Sequence, residues 1–210
     1  MTVFLKLMKD GGPVMWIILV LDIVALVVII SKSFQFHREE INVRELLRGL
    51  FNVLKRQGFI EAVSLCDSSP GPVARMLSAA IAARQQGEED IQSALDEAAF
   101  NEIPRLERGM KLLGTIGFIL PLLGFLGTVL GMLRAFETAA DTSQVLSASA
   151  VSGSVSCALL TSAAGLVGAI ICYVAYNLLL SRIETMTLDM DRASIEIIGF
   201  FSRQEKELDK

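Results

Sequence analysis

Long uncharged stretches dominate the pattern of hydrophobic and polar positions along this chain. Residues 112–133 contain no Lys, Arg, Asp or Glu over 22 positions, and residues 142–181 contain none over 40 positions. An earlier apolar stretch, residues 13–31, has Asp22 as its only charged residue. Because a hydrocarbon core of about 30 Å needs about 20 helical residues, the pattern predicts an integral membrane protein with three transmembrane helices.

The charged segments show a helical pattern of their own. Between Ile41 and Leu54, apolar residues recur at helical spacing with charged residues between them, which predicts an amphipathic helix. The turn residues at 67–72 must end any secondary-structure element that precedes them. Residues 73–86 are again helical in composition.

Two of the spans are predicted to extend beyond the bilayer. From Glu88 the chain runs Ala-rich and acidic into the second span, interrupted by Pro104, and this predicts one long helix with a kink at the proline. Forty uncharged residues would form about 60 Å of helix, twice the hydrocarbon thickness, and the following tail keeps apolar residues at loosely helical intervals. The predicted fold class is therefore all-α, with the second and third spans extended into the cytoplasm and amphipathic cytoplasmic helices beside them.

Basic residues predict the orientation of the chain. Eleven lie between the first and second spans and five follow the third, against two before the first span and one between the second and third. Cytoplasmic segments of membrane proteins are enriched in Lys and Arg. The predicted order is a periplasmic N-terminus (1–12), transmembrane helix 1 (13–31), a cytoplasmic helical loop (32–111), transmembrane helix 2 (112–133), a short periplasmic connector (134–145), transmembrane helix 3 (146–181) and a cytoplasmic helical tail (182–210).

Composition excludes several classes of function. The net charge of -4 leaves no basic surplus for nucleic acid, and the three cysteines, Cys66, Cys157 and Cys172, show neither a CxxC pair nor zinc spacing. No nucleophile, metal or phosphate-binding motif occurs in the soluble segments. We therefore predict no enzyme activity, no catalytic residue, no metal site and no cofactor.

The second span is rich in glycine, which is costly in a helix that only anchors. Pro121, Gly124, Thr128 and Gly131 fall on one stripe, and Gly127 forms a GxxxG motif with Gly131. The pattern indicates that another backbone approaches closely. Tight packing and nothing more is an equally good explanation for any single glycine.

The third span is rich in hydroxyl groups. The hydroxyl of a serine in a helix can donate a hydrogen bond to a carbonyl of the preceding turn. A single hydroxyl therefore does not indicate a function. Their concentration favours a face toward a polar lumen or a partner helix. Seven occur within sixteen residues: Ser147, Ser149, Ser152, Ser154, Ser156, Thr161 and Ser162.

Asp22 is the only carboxyl inside the first span. A charged aspartate in the middle of a bilayer costs about 3 kcal/mol on insertion scales, so a protonated, paired or water-accessible state is expected. A proton relay and a structural, hydrogen-bonded carboxyl are both open interpretations.

Three runs of residues together resemble the MotA/TolQ/ExbB family of ion-driven motor subunits. They are GGPVMW at residues 11–16, GFLGTVLGM at 124–132 and ALLTSAAGL at 158–166, one in each span. Three spans are typical of the ExbB/TolQ branch of the family. The resemblance covers most of the chain and implies a subunit of a bacterial inner-membrane motor that energises an envelope process such as TonB-type transport.

The resemblance also implies partners and site residues. It implies a homopentamer around a dimer of a single-span partner similar to ExbD or TolR, which carries an intramembrane aspartate. The transported ion would be H⁺, with Na⁺ still open. The family's pore threonines fall on Thr128 and Ser162; the predicted ion pathway is Thr128, Ser162, Thr161 and Ser154, and the predicted packing residues are Pro121, Gly124, Gly127, Gly131 and Gly165.

One departure from the family changes the chemistry that is expected. Where ExbB and TolQ carry Pro-Gly and then a glutamate, this chain has Gly153, Ser154 and then Cys157. Proton exchange must therefore use the partner, water or Asp22. A passive oligomeric scaffold and a stand-alone solute channel are the alternative functions.

Overall fold

The computed structural model describes residues 12–39, 41–56, 58–86, 90–141 and 148–208. Within these ranges the fold is all-α, which confirms the predicted class, and three helices, α1, α6 and α7, are long and apolar enough to cross a membrane. The helices are α1 (Gly12–Glu39), α2 (Val43–Leu54), α3 (Phe59–Ser68), α4 (Pro72–Gln85), α5 (Ile91–Glu107), α6 (Met110–Asp141) and α7 (Ala148–Leu208).

The chain divides into two compact units. The apolar unit contains the described residues of 1–31 and 109–178, and the bundle unit contains those of 32–108 and 179–210. Helix α7 is continuous over 61 residues, so the described residues of the third span and of the tail belong to one helix. The extension of this helix into the cytoplasm stays a prediction.

The bundle unit has a continuous hydrophobic core. The predicted amphipathic helix is α2, which buries Leu46, Leu47, Leu50 and Leu54 on one face. The last part of α7 adds a stripe at helical spacing to the same core: Met190, Ala193, Ile197 and Phe201.

The predicted turn after residue 67 is confirmed by the ends of two helices. Helix α3 ends at Ser68, and Pro72 occupies the first turn of α4, where its missing N–H costs no hydrogen bond. Between them Gly71 has φ +107°, and a Cβ added there would lie 2.8 Å from the carbonyl oxygen of Glu39. Only glycine fits this position, because both the conformation and the space exclude a side chain.

The prediction of one long helix leading into the second span is wrong. Helix α5 continues through Pro104 and ends at Glu107, and α6 begins at Met110. Gly109 has φ +91°, a left-handed conformation that a helix cannot continue through and that glycine adopts without strain. Gly109, and not Pro104, therefore separates α5 from α6.

Both ends of α5 have a side-chain cap. At its start the Asp90 carboxylate accepts a 3.1 Å hydrogen bond from the Ser93 backbone N–H and another from its hydroxyl, and these bonds lower the pKa of Asp90. At its end Lys32, only 8% exposed, donates from Nζ to the Leu106 carbonyl at 3.1 Å and to the Arg105 carbonyl at 3.5 Å. Carbonyls in the last turn of a helix have no partner within the helix, so the ammonium group satisfies them.

Replacing Lys32 by methionine should destabilise the bundle unit by about 2 kcal/mol, because hydrogen bonds from a charged donor contribute about 1.5–3 kcal/mol. Methionine keeps the apolar length of the side chain and removes the donor. Chemical denaturation of the purified chain measures the effect. The matched control is Lys55→Met, at an exposed lysine, and an equal loss in the two variants would show that the cap contributes nothing.

Candidate functional site

Helices α6 and α7 pack closely against each other through glycines of α6. A Cβ added at Gly117 would lie 3.3 Å from the Cys172 Cβ, and one added at Gly131 would lie 3.1 Å from the Ala158 Cα. Residue numbers rise along α6 as they fall along α7, so the two helices run antiparallel. We call this surface the α6–α7 contact.

Main chain of α6 lies directly against Gly165 of α7. A Cβ added there would lie 2.5 Å from the Leu120 carbonyl oxygen and 3.0 Å from the Gly124 Cα. In turn, a Cβ added at Gly124 would lie 3.1 Å from the Ser162 Cα. Two glycines thus face each other where main chain meets main chain, and neither helix can relieve a clash there by rotating a side chain.

Two adjacent hydroxyl residues of α7 have different environments. Thr161 is buried, 2% exposed, and its Oγ1 donates to the Ala158 carbonyl at 2.8 Å. Its side chain fills the space beside Gly127, whose added Cβ would lie 2.8 Å from the Thr161 Cβ. Ser162 is half-buried, and its Oγ donates across the contact to the Gly124 carbonyl at 2.8 Å.

The other two hydroxyls of the predicted ion pathway, those of Ser154 and Thr128, lie at the border of the contact. Ser154 is half-buried, two helical turns before Ser162 on the same stripe of α7. Thr128 is half-buried, one turn beyond Gly124 on α6, and its Oγ1 donates to the Phe125 carbonyl. The structure therefore places Thr128, Ser154 and Ser162 at the border and Thr161 inside. Ser147 lies outside the described residues.

Pro121 lies in the middle of α6, which continues through it without interruption. Because proline has no N–H, it cannot donate the usual helical hydrogen bond to the Gly117 carbonyl. Within the α6–α7 contact, the Gly124 carbonyl accepts the hydrogen bond of the Ser162 hydroxyl. The contact therefore combines hydroxyl groups with a main-chain carbonyl, and both kinds of oxygen can take the place of an ion's hydration shell.

Asp22 lies apart from these hydroxyls. It lines a groove between α1 and α7 in the apolar unit, with a volume of about 450 Å³, and its carboxyl lies against Gly168. Sequence reasoning missed Gly168, because one glycine among many in an apolar helix carries no signal that separates it from a packing residue. We call this space the α1–α7 groove.

Cys157 lies near the end of α7 that follows the connector. Together with Gly131 and Arg134 it lines a small cavity of about 20 Å³. A space of about 10–15 Å³ holds one water molecule. Among the described residues, no group of three or more His, Cys, Asp or Glu side chains could hold a metal ion.

The comparisons with known proteins identify the family of this chain. The family model of the MotA/TolQ/ExbB proton channel family matches residues 68–192, more than half of the chain and most of α6 and α7. The chain belongs to this family.

Similar proteins in other organisms carry ExbB names. Biopolymer transport protein ExbB-like 1 of Synechocystis sp. is 31% identical over 81% of this chain and 68% of its own length. An ExbB homolog of Methanothermobacter thermautotrophicus is 23% identical over 86% of this chain and 64% of its own length. Biopolymer transport protein ExbB of Neisseria meningitidis is 27% identical over 87% of this chain and 90% of its own length. The chain thus spans about two thirds of the first two relatives and most of the third.

Proposed function

We propose that this chain is the channel-forming subunit of an inner-membrane motor that uses the ion-motive force to energise an envelope process such as TonB-type transport. The observation that carries the proposal is the α6–α7 contact, in which glycines bring two apolar helices together and half-buried hydroxyls follow the border. A pair of helices that only anchored the protein would gain nothing from these hydroxyls. Membership of a proton channel family supports a role for these hydroxyls in ion passage.

The ion pathway is proposed along Thr128, Ser162 and Ser154, with Thr161 in the wall behind them. The hydroxyls of Thr128 and Ser162 donate to main-chain carbonyls, so their oxygen lone pairs are available to an incoming ion or water molecule. Protons are the proposed ion, since the family is a proton channel family. Sodium flux is an outcome that the same experiments would detect.

Hydroxyls can solvate an ion but do not titrate near neutral pH, so the motor needs a carboxyl from another source. Residues 112–133 and 142–181 contain no Asp or Glu. We propose that two copies of a single-span partner, similar to ExbD or TolR, supply an intramembrane aspartate at the centre of a pentamer of this chain. The relatives' names, biopolymer transport proteins, support a transport role for that assembly.

The proposed location is the bacterial inner membrane, with the N-terminus in the periplasm. The support is the distribution of charge, since sixteen of the nineteen Lys and Arg residues lie in residues 32–111 and 182–210. In this orientation the bundle unit is cytoplasmic.

The native mass of the complex, purified together with a single-span partner encoded beside it, tests the assembly. We expect five copies of this chain with two of the partner. A stable oligomer that excludes a partner present in the same cells would contradict the motor and favour a passive scaffold. Ion conductance by the chain alone in liposomes would instead favour a stand-alone channel.

A further inference from the structure

The α1–α7 groove holds a carboxyl that the ion pathway proposed above does not use. The groove has a volume of about 450 Å³, and Asp22 is the acidic residue among those that line it. Its walls are otherwise apolar apart from the thiol of Cys172, and the small side chains of Ala25, Ala163 and Ala164 keep the space open.

Gly168 allows this carboxyl to enter the contact between the two helices. A Cβ added at Gly168 would lie 3.0 Å from the Asp22 Cγ and would overlap the carboxyl oxygen Oδ1. Any larger residue would push the carboxyl away from α7. Asp22 is also midway between Gly12, the first residue of α1, and Lys32, the first basic residue after the span. The contact between its carboxyl and Gly168 therefore lies at the middle of the apolar stretch.

The surroundings of Asp22 suit a proton and no larger cation. Asp22 is half-buried in apolar surroundings, where a carboxylate loses part of its hydration, and no basic side chain lines the groove among the described residues to compensate. A sodium ion would need several oxygen ligands in place of its water shell, and no lining residue other than Asp22 has a side-chain oxygen. The other titratable group that faces the groove is the Cys172 thiol on α7, a weak hydrogen-bond donor.

We propose that Asp22 is a proton-binding site, separate from the hydroxyls at the border of the α6–α7 contact, which keeps its proton at neutral pH while its carboxyl lies against Gly168. The site depends on the packing of α1 on α7 within the apolar unit. It does not rest on the motor function, because a scaffold or an autonomous channel with this fold would contain the same site.

Labelling with dicyclohexylcarbodiimide tests the proposal without any measurement of activity. This lipid-soluble reagent adds to a protonated carboxyl: the carboxyl oxygen bonds to the carbodiimide carbon and the proton moves to a nitrogen. The adduct then rearranges to a stable N-acylurea with no leaving group. The full chain in phosphatidylcholine vesicles is treated at pH 7, and the modified residues are identified by peptide mass spectrometry.

We expect Asp22 to be labelled and Asp96, an exposed aspartate of the bundle unit, to remain unmodified in the same sample. At pH 7 fewer than about one in a thousand water-exposed aspartates carry a proton. Saturating sodium should leave the labelling of Asp22 unchanged. Suppression by sodium would overturn the proposal, since it would show that the groove binds a metal cation.

Three variants make the test decisive. The double variant Asp22→Asn/Leu26→Glu places one carboxyl a helical turn away, at a half-exposed position on the same groove, and shows that the reagent reaches it. If this variant is labelled and wild-type Asp22 is not, the proposal is wrong.

Gly168→Ala should raise the labelling rate of Asp22 above wild type, because the carboxyl is pushed into the open groove. Gly153→Ala, where an added Cβ has no neighbour within 4 Å, should match wild type; equal rates in all three backgrounds would overturn the role of Gly168.

Discussion

A chain in which Thr128 is replaced by valine and Ser162 by alanine should lose ion flux at least about tenfold, equivalent to about 1.4 kcal/mol or more on the barrier. Valine has nearly the shape of threonine, and alanine lacks only the serine hydroxyl, so the helices should still pack. An ion that passes the border of the α6–α7 contact would lose two oxygen ligands. Proton uptake into vesicles that contain the purified complex with its partner measures the loss.

The chain offers a matched control for each substitution. Thr115→Val removes a hydroxyl of α6 that donates to the Lys111 carbonyl at an exposed position, and Ser156→Ala removes an exposed hydroxyl of α7. The combined control should keep wild-type flux. Full flux in Thr128→Val/Ser162→Ala would remove these hydroxyls from the pathway, and an equal loss in the control pair would assign the effect to general disturbance of the spans.

Substitution of Gly165 by alanine should destabilise the apolar unit by about 3 kcal/mol, the upper part of the usual range for overpacking. The added Cβ would meet the main chain of Leu120 and Gly124, which cannot move aside as a side chain would. The two helices must separate, and this also breaks the hydrogen bond from Ser162 to the Gly124 carbonyl. The change is measured by heating the detergent-solubilised protein and using size-exclusion chromatography to monitor the fraction that remains folded at each temperature.

Gly153→Ala is the control for this substitution, because it replaces a glycine in the same helix where an added Cβ has no neighbour within 4 Å. It should leave stability unchanged or raise it slightly, since alanine has the higher helix propensity. Equal unfolding temperatures for Gly165→Ala and Gly153→Ala would show that the close approach at Gly165 is not required in the assembled protein.

The hydrophobic pattern predicted the helices well where their periodicity was strong. The spacing of apolar residues between Ile41 and Leu54 predicted α2, and the turn residues at 67–72 predicted the boundary between α3 and α4. The same reasoning predicted one helix that continues into the second span with a kink at Pro104, whereas the chain is interrupted at Gly109. A positive φ at one glycine is a property of the folded backbone, and sequence composition alone does not reveal it.

The sequence by itself determined the membrane class, the three apolar helices and the family to which the chain belongs, because length, charge and local motifs are properties of the chain in one dimension. Only the tertiary structure decided that Thr161 lies inside the α6–α7 contact while Ser162 lies at its border, and that the carboxyl of Asp22 lies against Gly168. Neighbouring residues on a helix point about 100° apart. Which of them faces another helix depends on the rotation of each helix about its axis, and this rotation is set by the packing of side chains from distant parts of the chain.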